Sequence, residues 1–379
     1  VPIVTIALPK QERSENENRT LAKFPDIVNH TKMDKAENLG DVLGAIRWDD
    51  ITTRDEDSWM DKFETYFSDH LVGREDWVRA RNEMEKLAGK KEINGVYTID
   101  DQMIQAFKTY DKSDVESSLN AMNRFAETHP DIQVSFMMAP TVQELYTSKI
   151  PSYAGYLSEK TFIDECYKKM NGISTVDCLS YLTGHSSEYV FYRTDHHWTS
   201  LGAYYAYQQL CGALGLTPFD PAAHTALTAE NFYGTHYSKA RTWNAVPDTI
   251  TYYDLPNSLT IYNVTAAGQP ADGQTTGLYD TDKLNVYDKY AMFLHGNNGL
   301  SRIEGDGTGR ILVIKDSYAN CFAPYLTANY AQIDVVDFRN YNYGLDQLIA
   351  DNDYDQILVL YSFDSFKSDP YLYRAGVAG

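Results

Sequence analysis

The chain has 379 residues, of which 43% are hydrophobic and 23% charged, as in a soluble globular protein with one large domain or two ordinary ones. Its formal net charge of -20 at pH 7 repels phosphate backbones and so argues against nucleic acid as a partner. No apolar run approaches the roughly 18 residues needed to span a bilayer. Because the chain begins at Val1 rather than Met, we expect a processed or truncated N-terminus, and a removed signal peptide or membrane anchor would not be visible in this sequence.

Residues 1–100 are predicted to form an N-terminal arm and helices that pack on a larger domain formed by residues 101–379. The first part of this region is polar and charged, as in an extended arm. Apolar residues at helical intervals predict a helix over 59–87. The dipeptide Asn94-Gly95 marks a turn before a short strand over 96–99.

Helices alternate with apolar strands from residue 113 onwards. The patterns predict helices over 113–127, 158–170 and 200–214, and strands over 132–139 and 188–192. The helix over 200–214 has clear ends, because Thr199 is a suitable N-cap and Gly215 is a suitable stop.

A segment rich in Gly, Asn, Asp, Thr and Tyr, residues 216–305, interrupts this alternation. We interpret it as an insertion of long loops with short strands, for example over 259–264, where binding residues tend to lie. Regular order then returns, with predicted strands over 311–314, 333–338 and 356–361 and helices after Ser317 and over 345–350. Apolar runs without polar alternation predict an α/β fold with a mostly parallel sheet covered on both faces.

The cysteines and tyrosines leave more than one interpretation open. Cys166 and Cys178 are close enough in sequence to form a short disulfide loop, with free thiols as the alternative, whereas Cys211 is predicted to lie in the core. The spacing of these residues and Cys321 does not indicate a zinc site. The 30 tyrosines either pack the core or form a surface that handles carbohydrate.

The run Thr-Asp-His-His-Trp-Thr at 194–199 places a carboxylate and an imidazole two residues apart. In an extended segment such residues point to the same side, so Asp195 is expected to fix the tautomer of His197 while His196 faces away. A helix beginning after Thr199 is expected to lower the pKa of His197 through its partial positive charge, which keeps the imidazole neutral.

Ser317 lies between a predicted strand and a predicted helix, a position that exposes its hydroxyl near backbone N–H groups able to bind an oxyanion. With His197 as base and Asp195 to orient it, these residues contain the parts of a serine hydrolase or acyltransferase. Two other interpretations stay open. Ser317 is a helix cap in one, and in the other Asp195 and the neighbouring histidines bind a metal ion.

Several sequence blocks occur in the order found in a known family, and together they cover most of the chain. They are 14–25, 63–74 continuing to 94–96, 138–141, 194–199, 293–298 and 315–320. In these blocks the chain resembles the bacterial DHHW proteins, which are similar to the alginate O-acetyltransferases of the AlgX and AlgJ type.

The resemblance implies an SGNH-hydrolase-like three-layer α/β/α domain over 101–379, with the motif order of a circular permutation. It implies a catalytic triad of Ser317, His197 and Asp195, with no cofactor and no metal. The usual Gly-Asp-Ser is Lys315-Asp316-Ser317 here. Candidates for oxyanion or substrate binding are Gly296, Asn297, Asn298, Asn320, Arg339 and Tyr341.

The function implied by the resemblance is that of a polysaccharide O-acetyltransferase or acetylesterase with an acetyl-serine intermediate. Such a protein is expected outside the cytoplasm, secreted or at the cell surface. It would act on a polysaccharide or acetylated sugar, with a membrane-bound acetyl-donor partner expected by family analogy alone. The alternatives are a non-catalytic carbohydrate-binding surface protein and a metal-dependent hydrolase.

Overall fold

The protein divides into two compact units, Val1–Lys90 with Arg241–Trp243, and Lys91–Ala240 with Asn244–Gly379. The computed structural model describes residues 11–14, 19–48, 58–265 and 270–376. No helix in these ranges combines the length and the apolar character that crossing a membrane requires. The expectation that the N-terminal helices pack on the larger domain stays a prediction.

Among its described residues, the first unit contains two short strands and four helices. They are β1 (Arg13–Ser14), β2 (Arg19–Thr20), α1 (His30–Met33), α2 (Leu39–Gly44), α3 (Trp59–Asp69) and α4 (Arg74–Leu87). The predicted extended arm therefore includes α1 and α2, because the side chains of Asn29 and Asn38 cap them by accepting backbone N–H groups. The single helix predicted over 59–87 is divided near Gly73, which has a φ of 70°.

The second unit contains thirteen strands and nine helices among its described residues. The strands are β3 (Glu92–Ile93), β4 (Val96–Ile99), β5 (Gln102–Gln105), β6 (Gln133–Ala139), β7 (Ser174–Val176), β8 (Ala226–Phe232), β9 (Asp248–Tyr253), β10 (Ser258–Val264), β11 (Pro270–Gly277), β12 (Leu300–Glu304), β13 (Arg310–Lys315), β14 (Gln332–Val336) and β15 (Gln356–Ser362). The helices are α5 (Lys112–Thr128), α6 (Val142–Leu145), α7 (Glu159–Lys168), α8 (Leu179–Gly184), α9 (Ser200–Leu214), α10 (Thr235–Ala240), α11 (Ala319–Phe322), α12 (Asp346–Asn352) and α13 (Phe363–Phe366).

Short 3-10 helices complete the second unit. They are Thr147–Lys149, Ser152–Ala154, Pro221–Ala223, Thr281–Asn285, Lys289–Met292, Ala323–Ala328 and Leu372–Gly376. Helix α9 has the bounds predicted for it, since Thr199 accepts the N–H of Gly202 and Gly215 adopts a φ of 69°. The described cysteines are all buried free thiols, which decides the interpretation left open for Cys166 and Cys178.

The second unit is built on an eight-stranded sheet in the order β11-β10-β12-β14-β13-β15-β6-β7. Strands β14, β13, β15, β6 and β7 are mutually parallel, and β12, β10 and β11 continue the sheet in antiparallel pairs. The predicted α/β fold with a mostly parallel sheet is therefore confirmed. The antiparallel strands β10, β11 and β12 come from the segment 216–305, which was predicted to be mostly loops. Strand β11 lies at the edge of the sheet and is largely exposed, so its residues are polar and do not show the apolar pattern of a buried strand.

Strand β13 shows how the sheet separates two layers. Ile311 and Val313 belong to a core cluster shared with α9, whereas Leu312 and Ile314 belong to a second cluster shared with α5 and α7. Alternate residues of a strand point to opposite faces, so helices cover both faces. Because β13 is packed on both faces, its carboxyl end is held in place. The turn that contains Ser317 follows this end directly.

Candidate active site

Asp195 and His197 lie in a turn rather than in the extended segment expected for them, and in place of the strand predicted over 188–192 there is only an isolated bridge between Phe191 and Trp198. The N–H of Thr199 donates to Val190 O (2.9 Å), and Asp195 Oδ1 accepts the backbone N–H of His197 (3.0 Å). A short acidic side chain that captures a nearby N–H in this way stabilises a turn in place of a strand. As a result, His196 does not face away: its ring centroid lies 3.7 Å from that of His197.

A buried carboxylate at the start of β9, Asp248, holds the residues that precede this turn. It accepts the N–H groups of Arg193 (2.7 Å) and Thr194 (2.8 Å), together with the hydroxyl groups of Thr194 and Tyr189. Burial raises the pKa of Asp248, and the hydrogen bond from Thr194 opposes that effect. Asp248 was not among the residues predicted from the sequence, because a single aspartate at the start of a strand does not indicate partners more than fifty residues earlier in the chain.

The structure brings Ser317, His197 and Asp195 together in one hydrogen-bonded chain. His197 Nε2 lies 2.8 Å from Ser317 Oγ, and His197 Nδ1 lies 2.5 Å from Asp195 Oδ1. The other carboxylate oxygen, Asp195 Oδ2, accepts the N–H (2.8 Å) and the hydroxyl (3.2 Å) of Thr235. A hydroxyl, an imidazole and a carboxylate in this sequence of contacts are the parts of an activated nucleophile.

His197 is held in the protonation state that a general base requires. Burial and the neighbouring charge of His196 lower the pKa of His197 to about 4, so the imidazole is neutral at pH 7. Burial favours the neutral form of Asp195 as well, but His196 and His197 outweigh it and hold the pKa of this carboxyl well below its usual range. With Nδ1–H donating to the carboxylate, Nε2 is left to accept the Ser317 proton.

Aromatic residues hold the two halves of the site together. The ring of Tyr290 stacks on His197 with centroids 3.8 Å apart, and its hydroxyl donates to Ser317 O (3.0 Å). Trp198 Nε1 donates to Tyr318 O (3.0 Å), and the Tyr318 hydroxyl donates to the carbonyl of His196. The histidine turn and the serine turn are therefore joined by side chain to backbone bonds in both directions.

Gly234 leaves the room that the Asp195 carboxylate occupies. A Cβ at this position would lie 2.1 Å from Asp195 Oδ2, so we expect Gly234→Ala to lower the thermal unfolding midpoint by several degrees. Gly212→Ala is the matched control, because a Cβ there meets nothing within 4 Å and alanine favours helix. Calorimetry of both variants tests this, and equal midpoints would contradict the close approach.

Residues 92–336 match the model of the DHHW protein family, which is more than half of the chain. The chain is a DHHW protein. The family expected from the sequence blocks is thereby confirmed. No curated protein matches the chain.

Solved structures share the fold of this DHHW protein. A DHHW family protein from Eubacterium siraeum DSM 15702 is 24% identical, with a TM-score of 0.64 over 75% of this chain and 95% of that chain. Bacillus cereus PatB1 is 20% identical, with a TM-score of 0.59 over 73% of this chain and 98% of that chain. The structure of PatB1 with a sulfonyl adduct is 18% identical, with a TM-score of 0.60 over 75% and 99%. The expected SGNH-like α/β fold is confirmed.

The serine turn of this DHHW protein is fixed by Asp316. Its two carboxylate oxygens accept the N–H of Tyr318 (2.9 Å) and both the N–H (2.8 Å) and hydroxyl (2.6 Å) of Ser362 at the end of β15. The helix expected after Ser317 begins at Ala319 as α11. Ser317 N–H has no acceptor in the described parts of the chain, so it is available to an oxyanion.

The loop before β12 holds three oxyanion candidates, and the side-chain amides of its two asparagines differ in whether the nitrogen already donates a hydrogen bond. Gly296 N–H donates to Phe293 O (3.0 Å), and Asn298 Nδ2 donates to Leu294 O (2.8 Å). Asn297 Oδ1 accepts hydrogen bonds, and Asn297 Nδ2 has no acceptor among the residues described. Asn297 Nδ2 can therefore donate to a bound group, and its role as the second oxyanion donor beside Ser317 N–H stays a prediction.

The other sequence candidates lie in different environments. Asn320 is buried and donates to Asn297 Oδ1 (3.0 Å), whereas Arg339 is paired with Asp337 through Nε (2.8 Å) and Nη2 (2.5 Å). Tyr341 is fully buried in the core, where its hydroxyl donates to Gly344 O (3.3 Å). Substrate binding by these residues stays a prediction.

Asp195, His196 and His197 form the group best able to hold a metal ion among the described residues, with ligand atoms within 4.8 Å of one another. Both ring nitrogens of His197 are already engaged, one by Asp195 and one by Ser317. His196 Nδ1 lies 2.7 Å from Thr235 Oγ1. An ion that used His197 would have to replace one of these two hydrogen bonds.

Proposed function

We propose that this DHHW protein is a serine-dependent acyltransferase or esterase that moves acetyl groups on a polysaccharide through an acetyl-serine intermediate. The observation that carries the proposal is the unbroken hydrogen-bond chain from Ser317 through His197 to Asp195. A polysaccharide substrate, a location outside the cytoplasm and a membrane-bound acetyl donor are part of the same proposal, by family analogy.

The first step forms the acetyl-enzyme. Ser317 Oγ attacks the carbonyl carbon of an acetyl ester as His197 Nε2 takes the hydroxyl proton, and the negative charge moves to the carbonyl oxygen. Ser317 N–H and Asn297 Nδ2 are the proposed donors to that oxygen. When the intermediate collapses, the ester C–O bond breaks and the leaving alkoxide takes the proton from His197. Asp195 stabilises the imidazolium between the two transfers.

The second step releases the acetyl group to an acceptor hydroxyl. His197 takes a proton from a sugar hydroxyl or from water, the new oxygen attacks the acetyl-serine carbonyl, and Ser317 recovers its proton. A sugar acceptor makes the protein a transferase, and water makes it an esterase. The exclusion of water and the binding of the acceptor decide between the two outcomes.

Mass spectrometry of the intact protein after treatment with a serine-directed sulfonyl fluoride tests the proposal. PatB1, which shares the fold, has a structure with a sulfonyl adduct. We expect one adduct, mapped to Ser317 by peptide sequencing, and none after the His197→Ala substitution, because an unassisted serine hydroxyl is a poor nucleophile. Activity on an acetyl ester that is lost with a chelator and restored by a divalent ion, without labelling of Ser317, would favour a metal-dependent hydrolase instead.

The activity should persist at unusually acidic pH. Only neutral His197 can take the Ser317 proton, and the pKa of His197 is lowered to about 4 by burial and by His196. We therefore expect kcat/KM for 4-nitrophenyl acetate to stay constant as pH falls through 6 and to decline near pH 4. Full recovery of activity at pH 7 after exposure to pH 4 is the control against acid unfolding, and a decline centred near pH 6.5 would contradict the lowered pKa.

Asn297→Asp separates donation to the oxyanion from stability. Aspartate keeps an oxygen for Lys315 Nζ, now as an ion pair, but removes the Nδ2 donor. We expect kcat to fall by about 10²–10³-fold with little loss of thermal stability. Asn329→Asp is the matched control, because that amide also accepts at Oδ1, from Tyr207, and donates at Nδ2, to Thr217 O. It should lower the unfolding midpoint and leave kcat unchanged. The opposite pattern would remove Asn297 from the oxyanion site.

A further inference from the structure

Lys315 is a buried lysine two residues before the proposed nucleophile, with a side chain only 2% exposed. Its Nζ lies 3.0 Å from Asn297 Oδ1, 2.7 Å from Asn320 Oδ1 and 3.1 Å from Asp337 Oδ2. Three acceptors match the three hydrogens of an ammonium group. A neutral amine would point its lone pair at one of these oxygens, so the arrangement fits the charged form.

The charge of Lys315 is balanced within a small buried network. Asp337 binds Lys315 on one side and accepts two hydrogen bonds from the guanidinium of Arg339 on the other. Burial would raise the pKa of Asp337, but the two cations outweigh that effect and lower it. Lys315 and Arg339 thus share the carboxylate of Asp337, and the charge of Asp316 also acts on both cations.

The Lys315 contact determines which way the Asn297 amide points. Asn297 Oδ1 accepts from two donors, Lys315 Nζ and Asn320 Nδ2 (3.0 Å). Because an ammonium group can only donate, a flipped amide would place its NH2 group against Lys315 and against the NH2 group of Asn320. The oxygen is therefore held toward Lys315, and Nδ2 is directed away from it. A cation at the oxygen also draws electron density from the amide, which makes its N–H groups stronger donors.

We propose that Lys315 is a positioning residue for the reaction, which fixes and polarises the Asn297 amide so that Nδ2 serves as an oxyanion donor. The inference rests on the proposed function. Lys315 stands where the Gly-Asp-Ser motif of the SGNH hydrolases has glycine, which has no side chain to make these contacts.

A double-mutant cycle on hydrolysis of 4-nitrophenyl acetate tests whether Lys315 acts through Asn297. We expect Lys315→Met to lower kcat by about 10–100-fold and Asn297→Ala by about 10²–10³-fold, with KM changed little in either. The double variant should match Asn297→Ala within a factor of about three, because the lysine has no amide left to position. Losses that multiply in the double variant, or an unchanged kcat in Lys315→Met, would overturn the proposal.

Two further variants keep the result interpretable. Arg302→Met removes a cation from another ion pair of the same sheet, with Asp334, and should leave kcat unchanged at a comparable loss of stability. If Lys315→Met does not fold, Lys315→Gln replaces it in the cycle, because glutamine retains a donor of similar reach without the charge. Labelling of Ser317 by the sulfonyl fluoride distinguishes failure of the proposed function from failure of the role proposed for Lys315. Without labelling, the proposed function itself fails, whereas labelling with a multiplicative cycle rejects only the role of Lys315.

Discussion

Ser317→Ala should reduce hydrolysis of 4-nitrophenyl acetate by about 10⁴-fold or more while the protein remains folded. The substitution removes Oγ, the atom proposed to form the bond to the acetyl group, and the described hydrogen bond of this hydroxyl is to His197. Because that bond is not part of the core, the unfolding midpoint should change little. Initial rates give the loss, and mass spectrometry of the protein with substrate should show the acetyl-enzyme in the unsubstituted protein alone.

The control for this substitution is Ser180→Ala. The hydroxyl of Ser180 donates to Asp177 (2.6 Å) on the surface, so the variant removes a hydrogen-bonded serine hydroxyl without touching the site. Its rate should equal that of the unsubstituted protein. If Ser317→Ala retains more than a tenth of the activity, the serine is not the nucleophile, and either the metal-dependent mechanism or a non-catalytic role becomes the better explanation.

Asp195→Asn is expected to lower kcat by about 10³–10⁴-fold, for a reason that is specific to its surroundings. Four donors converge on this carboxylate, namely the N–H and Nδ1–H of His197 and the N–H and hydroxyl of Thr235. An asparagine must direct its own NH2 group at one of these pairs. Either the turn is disturbed or the tautomer of His197 is reversed, and a reversed imidazole presents Nε2–H to Ser317.

The pH dependence separates this effect from simple loss of structure. Without the negative charge of Asp195, the imidazolium is less stable, so the residual activity should show its acid decline at still lower pH. Asp177→Asn is the matched control, since Asp177 also accepts a backbone N–H and a hydroxyl, both from Ser180. Unchanged kcat in Asp195→Asn would show that His197 does not depend on the carboxylate.

The sequence led to Asp195, His197 and Ser317 because their chemistry is unusual in combination and because the strand before Ser317 is strongly apolar. The local geometry expected for this pair was nevertheless wrong. Asp195 and His197 do not lie side by side in an extended segment, because Asp195 accepts the N–H of His197 in a turn. Both arrangements bring the carboxylate to the imidazole, so the pair was found for an incorrect reason. For the same reason His196 was expected to face away from the site, whereas its ring lies beside His197 and lowers the pKa of that residue.

Residues that support the site were harder to find because their partners are distant in sequence. Gly234, Thr235 and Tyr290 lie in the segment interpreted as loops, and nothing in their local pattern points to Asp195 or His197. Asp248 accepts the backbone N–H of Thr194, at the start of the histidine turn, although the two residues are 54 positions apart in the sequence. Periodicity reports which side of an element is buried, but it contains no information on which loops meet across a sheet.

Lys315 shows a different limit of the sequence. In the sequence, Lys315 replaces the glycine of the usual Gly-Asp-Ser motif. A lysine at the end of an apolar strand is ordinarily expected to be exposed to solvent. Its burial depends on three acceptors supplied by Asn297, Asn320 and Asp337, which come from the loop before β12, from α11 and from the end of β14. Only the folded arrangement shows that these groups meet.

The hydrogen bond between Trp198 and Tyr318 joins residues 120 positions apart, and the bond between Tyr318 and His196 joins residues 122 positions apart. The base is therefore translated well before the nucleophile, and a nascent chain that ends before β13 holds a histidine with no serine to activate. Contacts of such long range form late in folding, because much of the chain must be ordered before they close. We therefore expect the proposed base and the proposed nucleophile to come together only after β13 has joined the sheet.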